Sequence, residues 1–284
     1  MADYTTSGEI GYLDRLKLYE EEKPYIVTFL LSNTPGAKHS NLSISYHPVN
    51  IRDIRHSTQT FTTGTHGFEL VKFPTSATTE ELRNQGAIRD LYFPEAEQYL
   101  KEKFDAEYVY FFDATVRASK SLEQPVTPTL VRLFHIRASC SRRLITCVDQ
   151  TPASVFRRIK HDLPERFEDF KSRHIRVINI WRPLAGPLQD YPLALCDWRT
   201  TLPDDYVACD LPSIHYVGEV LQVHHNPDHQ WWFACNMTTD EALLIKMYDT
   251  DAETEGSQVA MCTYKRFKSA CDLNCRLYVL RRSK

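Results

Sequence analysis

Cys147 and Asp149 are the first residues of this sequence whose types and spacing could support chemistry. They stand two apart in the segment LITCVDQTP (144–152), where an apolar run predicts the end of a buried strand. Side chains two apart on a strand point to the same face, so we expect the thiol and the carboxylate to project together. Asp149 then needs a partner, because burying an unpaired charge costs several kcal/mol. In many enzymes such a position begins a metal site.

The elements that must position this pair are helices in the first two thirds of the chain and short strands throughout. We predict an exposed helix over 13–25, and the Thr78 and Glu81 spacing is a capping box for a helix over 80–91. Pro94 and Pro152 mark the first turns of two further helices. The sequence predicts strands at 26–31, 42–49, 66–74, 108–116, 144–148, 176–181, 216–226, 230–237, 241–249 and 275–282. This order predicts a β-barrel or sandwich backed by helices, and without a dividing linker residues 1–284 should form a single domain.

Composition excludes several classes of function. The 284 residues carry a formal net charge of −3 with 25% charged residues, which gives no electrostatic footprint for nucleic acid or for an anionic membrane. No apolar run approaches the roughly 18 residues that span a bilayer, and the N-terminus lacks the order of a signal peptide. We therefore expect a cytoplasmic protein that binds neither nucleic acid nor membranes. The eight cysteines form no CxxC pair and are expected to be reduced thiols.

Longer motifs then carry a family resemblance. The segments are NIWRPLAGPLQDYPLALCDWR (179–199), DEALLIKMYD (240–249), HGFELVK (66–72), FPEAEQYLK (93–101) and FFDATVR (111–117). Together they resemble the fungal and bacterial family of non-haem iron, 2-oxoglutarate-dependent hydroxylases and desaturases, typified by aspergillic-acid hydroxylase and the gibberellin desaturase. The resemblance implies a mainly β fold with helices: a double-stranded β-helix, the cupin-like jelly roll, with flanking helices. It also implies iron on two histidines and one carboxylate, with open positions for 2-oxoglutarate and oxygen, and a homodimer.

This sequence departs from the family pattern at the residues that the iron chemistry needs. Where the resemblance implies His-x-Asp before Gln-Ser/Thr-Pro, the sequence reads Cys147-Val148-Asp149-Gln150-Thr151-Pro152. Where it implies the last histidine, the segment 261–264 reads Met-Cys-Thr-Tyr, and the Arg-Glu-Ser anchor for 2-oxoglutarate aligns with Asp272-Leu273-Asn274. We therefore expect that iron and 2-oxoglutarate binding are lost and that no cofactor replaces them.

The leading hypothesis is an enzyme that uses the emptied barrel as an apolar pocket. Cyclisation, isomerisation or dehydration, including pericyclic ring closure, needs only a productive conformation and one acid or base. The substrate implied by the family is a terpenoid or polyketide intermediate of natural-product biosynthesis. Asp149 is the expected acid or base, since desolvation would favour its protonated form; the alternative is that it only bonds Thr151 or the following helix. The other expected catalytic residues are Cys147, Arg182 and Lys246, and the expected substrate-binding residues are Asn179, Trp181, Cys262 and Tyr264.

Two other functions remain open. Cys147, Asp149 and Cys262 could form an atypical metal site for a metal-dependent oxygenase, with zinc or copper favoured by the thiolates. If the register is wrong, His224, His225 and His229 supply other imidazoles, although a structural turn is the favoured interpretation of that segment. The third hypothesis is a non-catalytic paralogue that binds a partner or a small molecule, with Trp231 and Trp232 either in an interface or in the core.

Overall fold

The computed structural model describes residues 4–29, 36–118, 145–189, 192–214, 216–251, 261–263 and 271–281; within these ranges the side chains of 117–118, 262–263 and 271–274 are left out of the description. The strands are β1 (Thr5–Leu13), β2 (Ile44–Asp53), β3 (Phe68–Lys72), β4 (Ala106–Ala118), β5 (Cys147–Val148), β6 (Ile175–Pro183), β7 (Leu193–Cys196), β8 (Tyr206–Pro212), β9 (Val217–Val223), β10 (Trp231–Phe233), β11 (Glu241–Asp249), β12 (Met261–Thr263) and β13 (Cys271–Arg281). The helices are α1 (Leu18–Glu21), α2 (Gln85–Ala87), α3 (Phe93–Phe104), α4 (Pro152–Asp162) and α5 (Phe167–Lys171).

The strands form two sheets. One sheet has eight strands in the order β1-β2-β10-β7-β12-β5-β9-β8, and the other has five in the order β3-β11-β6-β13-β4. In the five-stranded sheet every neighbouring pair is antiparallel, and β6 lies at the centre between β11 and β13. The prediction of a mainly β protein with helices is confirmed by this architecture.

The five-stranded sheet is buried on both faces, and the two faces do different work. Val177 and Trp181 of β6 belong to a large apolar cluster that includes residues of both sheets and of α4 and α5. Ile178 and Ile180, on the opposite face, belong to a second cluster with α3. Successive side chains on a strand point to opposite faces, so each strand of this sheet contributes to both clusters. The site described below lies on the first face.

Local signals explain where the helices begin and end. Thr78 and Glu81 form the predicted capping box, since the Thr78 amide donates to a Glu81 oxygen at 2.7 Å and the Glu81 amide donates to Thr78 Oγ1 at 3.3 Å. The predicted helix over 80–91 is nevertheless wrong as one element. Asn84 adopts an extended backbone and its side chain accepts from two following amides, which starts α2 anew. A π-helical turn over Ile88–Tyr92 then leads into α3.

Two further sequence predictions are corrected near the N-terminus. The helix predicted over 13–25 is reduced to the four residues of α1, which buries none of its side chains. A helix gains most of its stability from packing an apolar face, and this stretch has none to pack. The structure describes the predicted strand at 26–31 only as far as Phe29. In this described part of the chain, Tyr25 and Ile26 make isolated bridges but belong to no strand. Among the described residues, no helix combines the length and the apolar character that crossing a bilayer requires.

Candidate functional site

Arg276 of β13 lies at the centre of a row of polar side chains on the inner face of the five-stranded sheet. It is paired in register with Asn179 of β6 on one side and with Asp113 of β4 on the other. Directly opposed residues in an antiparallel pair share one face, so the three side chains meet without any loop to position them. Arg276 Nη1 donates to Asp113 Oδ2 at 2.7 Å.

Asp149 joins this row from the eight-stranded sheet. It follows β5 directly and precedes α4, whose first turn is fixed by Thr151, since its Oγ1 accepts from the Ser154 amide at 3.0 Å. Asp149 Oδ2 accepts from Arg276 Nε at 2.9 Å and from Asn179 Nδ2 at 2.8 Å. We name these four residues, Asp113, Asp149, Asn179 and Arg276, the interior polar cluster.

The interior polar cluster is mostly buried but not sealed. The side chain of Arg276 is 20% exposed, that of Asp113 13% and that of Asp149 11%. Burial opposes the charge of the Arg276 guanidinium, but Asp149 and Asp113 outweigh it and raise its pKa, so Arg276 stays a cation. A small molecule that enters between the sheets would meet two carboxylates and one guanidinium.

Asp149 therefore has the partner that the sequence analysis required for a buried carboxylate. Asp149 has two charged or polar partners on the facing sheet, and neither is Thr151 or the helix amides, so the helix-cap alternative does not describe it either. An ion pair with Arg276 uses the ionised carboxylate, which accepts a proton but cannot donate one. The chemistry open to Asp149 is that of a base.

Asn179 and Trp181 lie where the sequence placed them, on the inner face of β6. Asn179 is fully buried and its Oδ1 has no hydrogen-bond partner among the described residues; the same holds for Trp181 Nε1. A buried amide oxygen and a buried indole N–H are groups that a polar substituent of a ligand would satisfy. Their assignment to substrate binding stays a prediction.

Cys147 is brought close to the interior polar cluster. A Cys147 thiolate would help to raise the pKa of Arg276, so the sulfur atom lies within electrostatic reach of the guanidinium. Met261 of β12 pairs with Cys147, so the two segments in which the resemblance implies histidines are adjacent strands. The side chain of Cys262 and all of Tyr264 lie outside the described residues, and their assignments stay predictions. The backbone of Asp272 pairs with Pro183, but its side chain is outside the description.

Arg182 and Lys246 are placed away from this site. Arg182 is 1% exposed, lies over the rings of Phe73 and Tyr92, and donates to the Thr239 carbonyl oxygen. Strand alternation puts it on the opposite face of β6 from Asn179 and Trp181. The placement does not support a catalytic role for Arg182.

Lys246 occupies a different buried network. Its Nζ lies 3.4 Å from Asp249 Oδ2, and Asp249 also pairs with His174 and, at 2.9 Å, with Arg176 Nε. Burial lowers the pKa of Lys246, although Asp249 opposes that change. The network satisfies its own charges, so the geometry gives Lys246 a structural place and does not support the catalytic role expected from the sequence.

The remaining sequence candidates are structural. His224 Nδ1 lies 2.8 Å from the Leu13 carbonyl oxygen, His229 Nε2 lies 3.0 Å from Asp205 Oδ2, and His225 stacks on His47 with ring centroids 3.9 Å apart. These contacts stabilise a turn, which agrees with the structural interpretation favoured in the sequence analysis. Trp231 and Trp232 are 1% and 3% exposed, so they are core residues and not an exposed pair at an interface.

Sequence reasoning missed Asp113 and Arg276. Both are charged residues inside runs of aromatic and β-branched residues, YVYFFDATV and CRLYVL. A charge within an otherwise apolar strand is rarely buried unless it is paired, so each was a signal of an ionic partner across the sheets. The partner itself is set by strand register, which the sequence does not display.

The fold defines the class of protein. The solved structure of the iron and alpha-ketoglutarate-dependent endoperoxidase NvfI matches this chain with a TM-score of 0.81 at 19% identity, covering 100% of both chains. That likeness confirms the predicted double-stranded β-helix, the jelly roll of the dioxygenases, with flanking helices.

A family match places the chain more narrowly. The family model described as "Oxidoreductase/YMDC permease-like domain" matches residues 10–279, so the chain belongs to this family. The chain is 27% identical to the hydroxylase/desaturase efuI of Hormonema carpetanum over 82% of its own length and 81% of that protein. It is 26% identical to the Fe(II)/2-oxoglutarate-dependent dioxygenase nvfI of Aspergillus novofumigatus, over 87% and 84% of the two chains. The predicted kinship with fungal hydroxylases, desaturases and iron dioxygenases is confirmed.

Among the described residues, those at the implied site do not fit the iron that the family implies. Of the implied ligand pair, the histidine position holds Cys147, and the carboxylate of Asp149 is already bonded by a guanidinium and an amide. A cation fixed 2.9 Å from the carboxylate oxygen opposes a divalent metal at the same oxygen. We derive no reaction step through iron for this site.

Proposed function

We propose that this protein is an enzyme of natural-product biosynthesis that converts a terpenoid or polyketide intermediate between its two sheets, without iron or 2-oxoglutarate. The reaction class is cyclisation, isomerisation or dehydration. The observation that carries the proposal is the ion pair of Asp149 with Arg276, which replaces metal coordination by a carboxylate and a guanidinium fixed in one geometry. Relatives named as an aspirochlorine biosynthesis protein and as a gibberellin cluster desaturase support the natural-product context.

The chemistry follows from the charges of the interior polar cluster. Asp149, paired with Arg276, accepts a proton from a carbon or an oxygen of the substrate that is acidified by a neighbouring carbonyl. Arg276 is a permanent cation and donates to the oxygen on which negative charge develops, while Asp113 keeps the guanidinium oriented. Asn179 fixes the direction of the Asp149 lone pairs. The apolar cluster around them holds the substrate in a reactive conformation.

The test is turnover of a panel of terpenoid and polyketide intermediates by the full chain, with a chelator and without oxygen or 2-oxoglutarate. We expect a product with the mass of the substrate, or with the mass of one water less. Asp149→Asn should lower kcat by about 10²- to 10⁴-fold. The exposed carboxylate variant Asp240→Asn, outside the site, should retain turnover, because the Asp240 side chain is 48% exposed and bonds Lys72 and Thr238, neither of which belongs to the site. Asp149→Asn at full rate would remove the base from this mechanism.

A second candidate function rests on the names of the relatives. A metal-dependent hydroxylase or desaturase with ligands from Cys147, Asp149 and Cys262 would agree with the relatives efuI and nvfI, which are named as such enzymes. It requires Arg276 to release Asp149. The same panel separates the two, because this enzyme would need oxygen and would yield a product with one more oxygen or two fewer hydrogens. A panel that yields no product under either condition, with a ligand still bound, would favour the non-catalytic paralogue.

A further inference from the structure

A second group of side chains with metal-binding chemistry includes no residue of the interior polar cluster. Strands β2 and β10 run parallel, with Phe233 paired to Asp53, so both strands end at the same edge of the eight-stranded sheet. Cys235 follows β10 by two residues, and His56 follows β2 by three. The parallel pairing therefore delivers a carboxylate, an imidazole and a thiol to one place.

The three side chains converge closely. Asp53 Oδ2 lies 2.8 Å from His56 Nδ1, and one donor atom from each of Asp53, His56 and Cys235 lies within 4.8 Å of the other two. Ligand atoms about 2.0–2.3 Å from a tetrahedral zinc ion are roughly 3.3–3.7 Å apart. Asp53 Oδ2 and His56 Nδ1 must therefore separate by roughly 0.5 Å, and the thiol must approach them by at most roughly 1 Å, to bind the ion. We name this group the Asp–His–Cys cluster.

The surroundings orient the cluster as the outer contacts of a metal site do. Asp53 Oδ1 accepts from the amides of Arg55, at 3.1 Å, and Cys235, at 3.3 Å, which leaves Oδ2 directed at His56. Arg55 Nε donates to the Cys235 carbonyl oxygen at 2.8 Å, which fixes the backbone that carries the thiol. Arg55 is paired in turn with Glu241 at 2.6 Å, so its charge is compensated outside the cluster.

The three side chains differ in solvent exposure, and the differences suit the ligands of a bound ion. The Asp53 side chain is 0% exposed, Cys235 is half-buried, and the His56 side chain is 51% exposed. The imidazole therefore forms the outer wall, where solvent can supply a fourth ligand. A thiolate, an imidazole and a carboxylate together match the donor preferences of zinc, and one thiolate plus one carboxylate neutralise its charge.

We propose that Asp53, His56 and Cys235 bind a zinc ion that joins the end of β2 to the segment after β10. The ion takes one atom from each residue and keeps one position for water. No residue of the interior polar cluster takes part, so the zinc site and the proposed reaction can be tested independently of each other.

The test uses cobalt(II) as a spectroscopic substitute for zinc on the full chain. Cobalt should give the charge-transfer absorption of a cobalt–thiolate bond, and zinc should displace it. Cys235→Ser should abolish this band, and Cys235→Ser and His56→Gln should each weaken zinc binding by about 100-fold or more, since even outer contacts of a metal site are worth 10- to 100-fold. The matched controls are Cys147→Ser, a thiol in the other site, and His39→Gln, an exposed histidine away from the cluster.

A second measurement needs no variant. Zinc should protect Cys235 of the unmodified protein from alkylation by iodoacetamide, as read by peptide mass mapping. The proposal is overturned if cobalt gives no thiolate band, if the band persists in Cys235→Ser, or if Cys147→Ser removes it. Any of these results would leave the cluster as a hydrogen-bonded cap at the end of β2.

Discussion

Arg276 binds two carboxylates at once, and both of them are mostly buried. Removing the guanidinium leaves Asp113 and Asp149 facing each other's charge with little access to water. Breaking a buried pair by deleting one partner typically costs about 3–5 kcal/mol, mostly because an uncompensated charge remains. We predict that Arg276→Met lowers the free energy of unfolding by that amount, as measured by denaturant titration.

Two comparisons make this prediction specific. Arg83→Met removes an arginine whose partner Glu80 is 85% exposed, and such a surface pair is worth about 0–1 kcal/mol. Adding Asp113→Asn and Asp149→Asn to Arg276→Met should recover part of the loss, since the residual charges are gone. A loss below about 1 kcal/mol for Arg276→Met alone would mean that the pair does not hold the sheets together.

At the scale of residues, the sequence pointed to Asp149 and Asn179, which are two of the four residues of the interior polar cluster. Cys147, Asp149, Asn179 and Trp181 could be found because a short motif or strand alternation points to them. Arg182 and Lys246 were misassigned for a physical reason: β6 and β11 are buried on both faces, so a charged residue in them could face either the site or the helices. The network that each charge joins depends on contacts from elsewhere in the chain.

Among the elements, α4 has the most direct bearing on the site, because it begins three residues after Asp149. Thr151 Oγ1 accepts from the Ser154 amide and donates to Glu219, so one hydroxyl joins the helix start to β9. We predict that Thr151→Ala lowers the free energy of unfolding by about 1–2 kcal/mol through the lost cap. Thr151→Ser keeps the hydroxyl and should cost only a few tenths; equal losses for both variants, by denaturant titration, would argue against capping.

The turn that carries His224, His225 and His229 should make stability depend on pH. Burial lowers the pKa of all three below the ordinary value of 6.5, so the folded protein binds fewer protons there than the unfolded chain. The stability that these three neutral histidines contribute is therefore present above about pH 6.5. It is lost as the pH falls through their lowered pKa values.

We predict that the free energy of unfolding falls between about pH 7 and about pH 5, and that His229→Gln makes this fall shallower. His229 is the sharpest choice, since its side chain is 1% exposed and Gln can still donate to Asp205. The control is His39→Gln, an exposed histidine outside the turn. An unchanged slope in His229→Gln, from denaturant titrations across the range, would contradict the assignment.

Element boundaries were predictable where a local signal acts alone and not where packing decides. Pro94 and the Thr151–Pro152 pair correctly marked α3 and α4, because caps and first-turn prolines act within a few residues. Strands β7 and β8 escaped prediction: β7 is four buried residues with no alternation, and β8 pairs with β9 in a way that its mixed composition does not reveal. The helix over 80–91 was lost to the competing hydrogen bonds of Asn84.

At the scale of the whole molecule, the two faces of the five-stranded sheet differ in what they contact. This difference accounts for the family fold being kept while the fit to iron is lost. The face toward α3 preserves the apolar packing that supports the scaffold, while the inner face carries Asn179, Arg276 and Asp113 and is opposite Asp149. A scaffold held by two separate apolar clusters tolerates changes in one interior without losing the other. This explains how a family fold with a TM-score of 0.81 to an iron enzyme can coexist with a site that does not fit iron.

The final prediction uses the thermal stability of the whole molecule to test the proposed loss of iron and 2-oxoglutarate binding. A ligand that binds only the folded protein stabilises it, by about 2.7 kcal/mol at a concentration 100 times its Kd, which would raise Tm by roughly 5 °C or more. We predict that Fe(II) and 2-oxoglutarate, added together without oxygen, leave Tm unchanged. The experiment should use Cys235→Ser, because iron at the Asp–His–Cys cluster would otherwise contribute. A rise in Tm that Asp149→Asn abolishes would show that Arg276 yields Asp149 to a metal, and would favour the metal-dependent oxygenase.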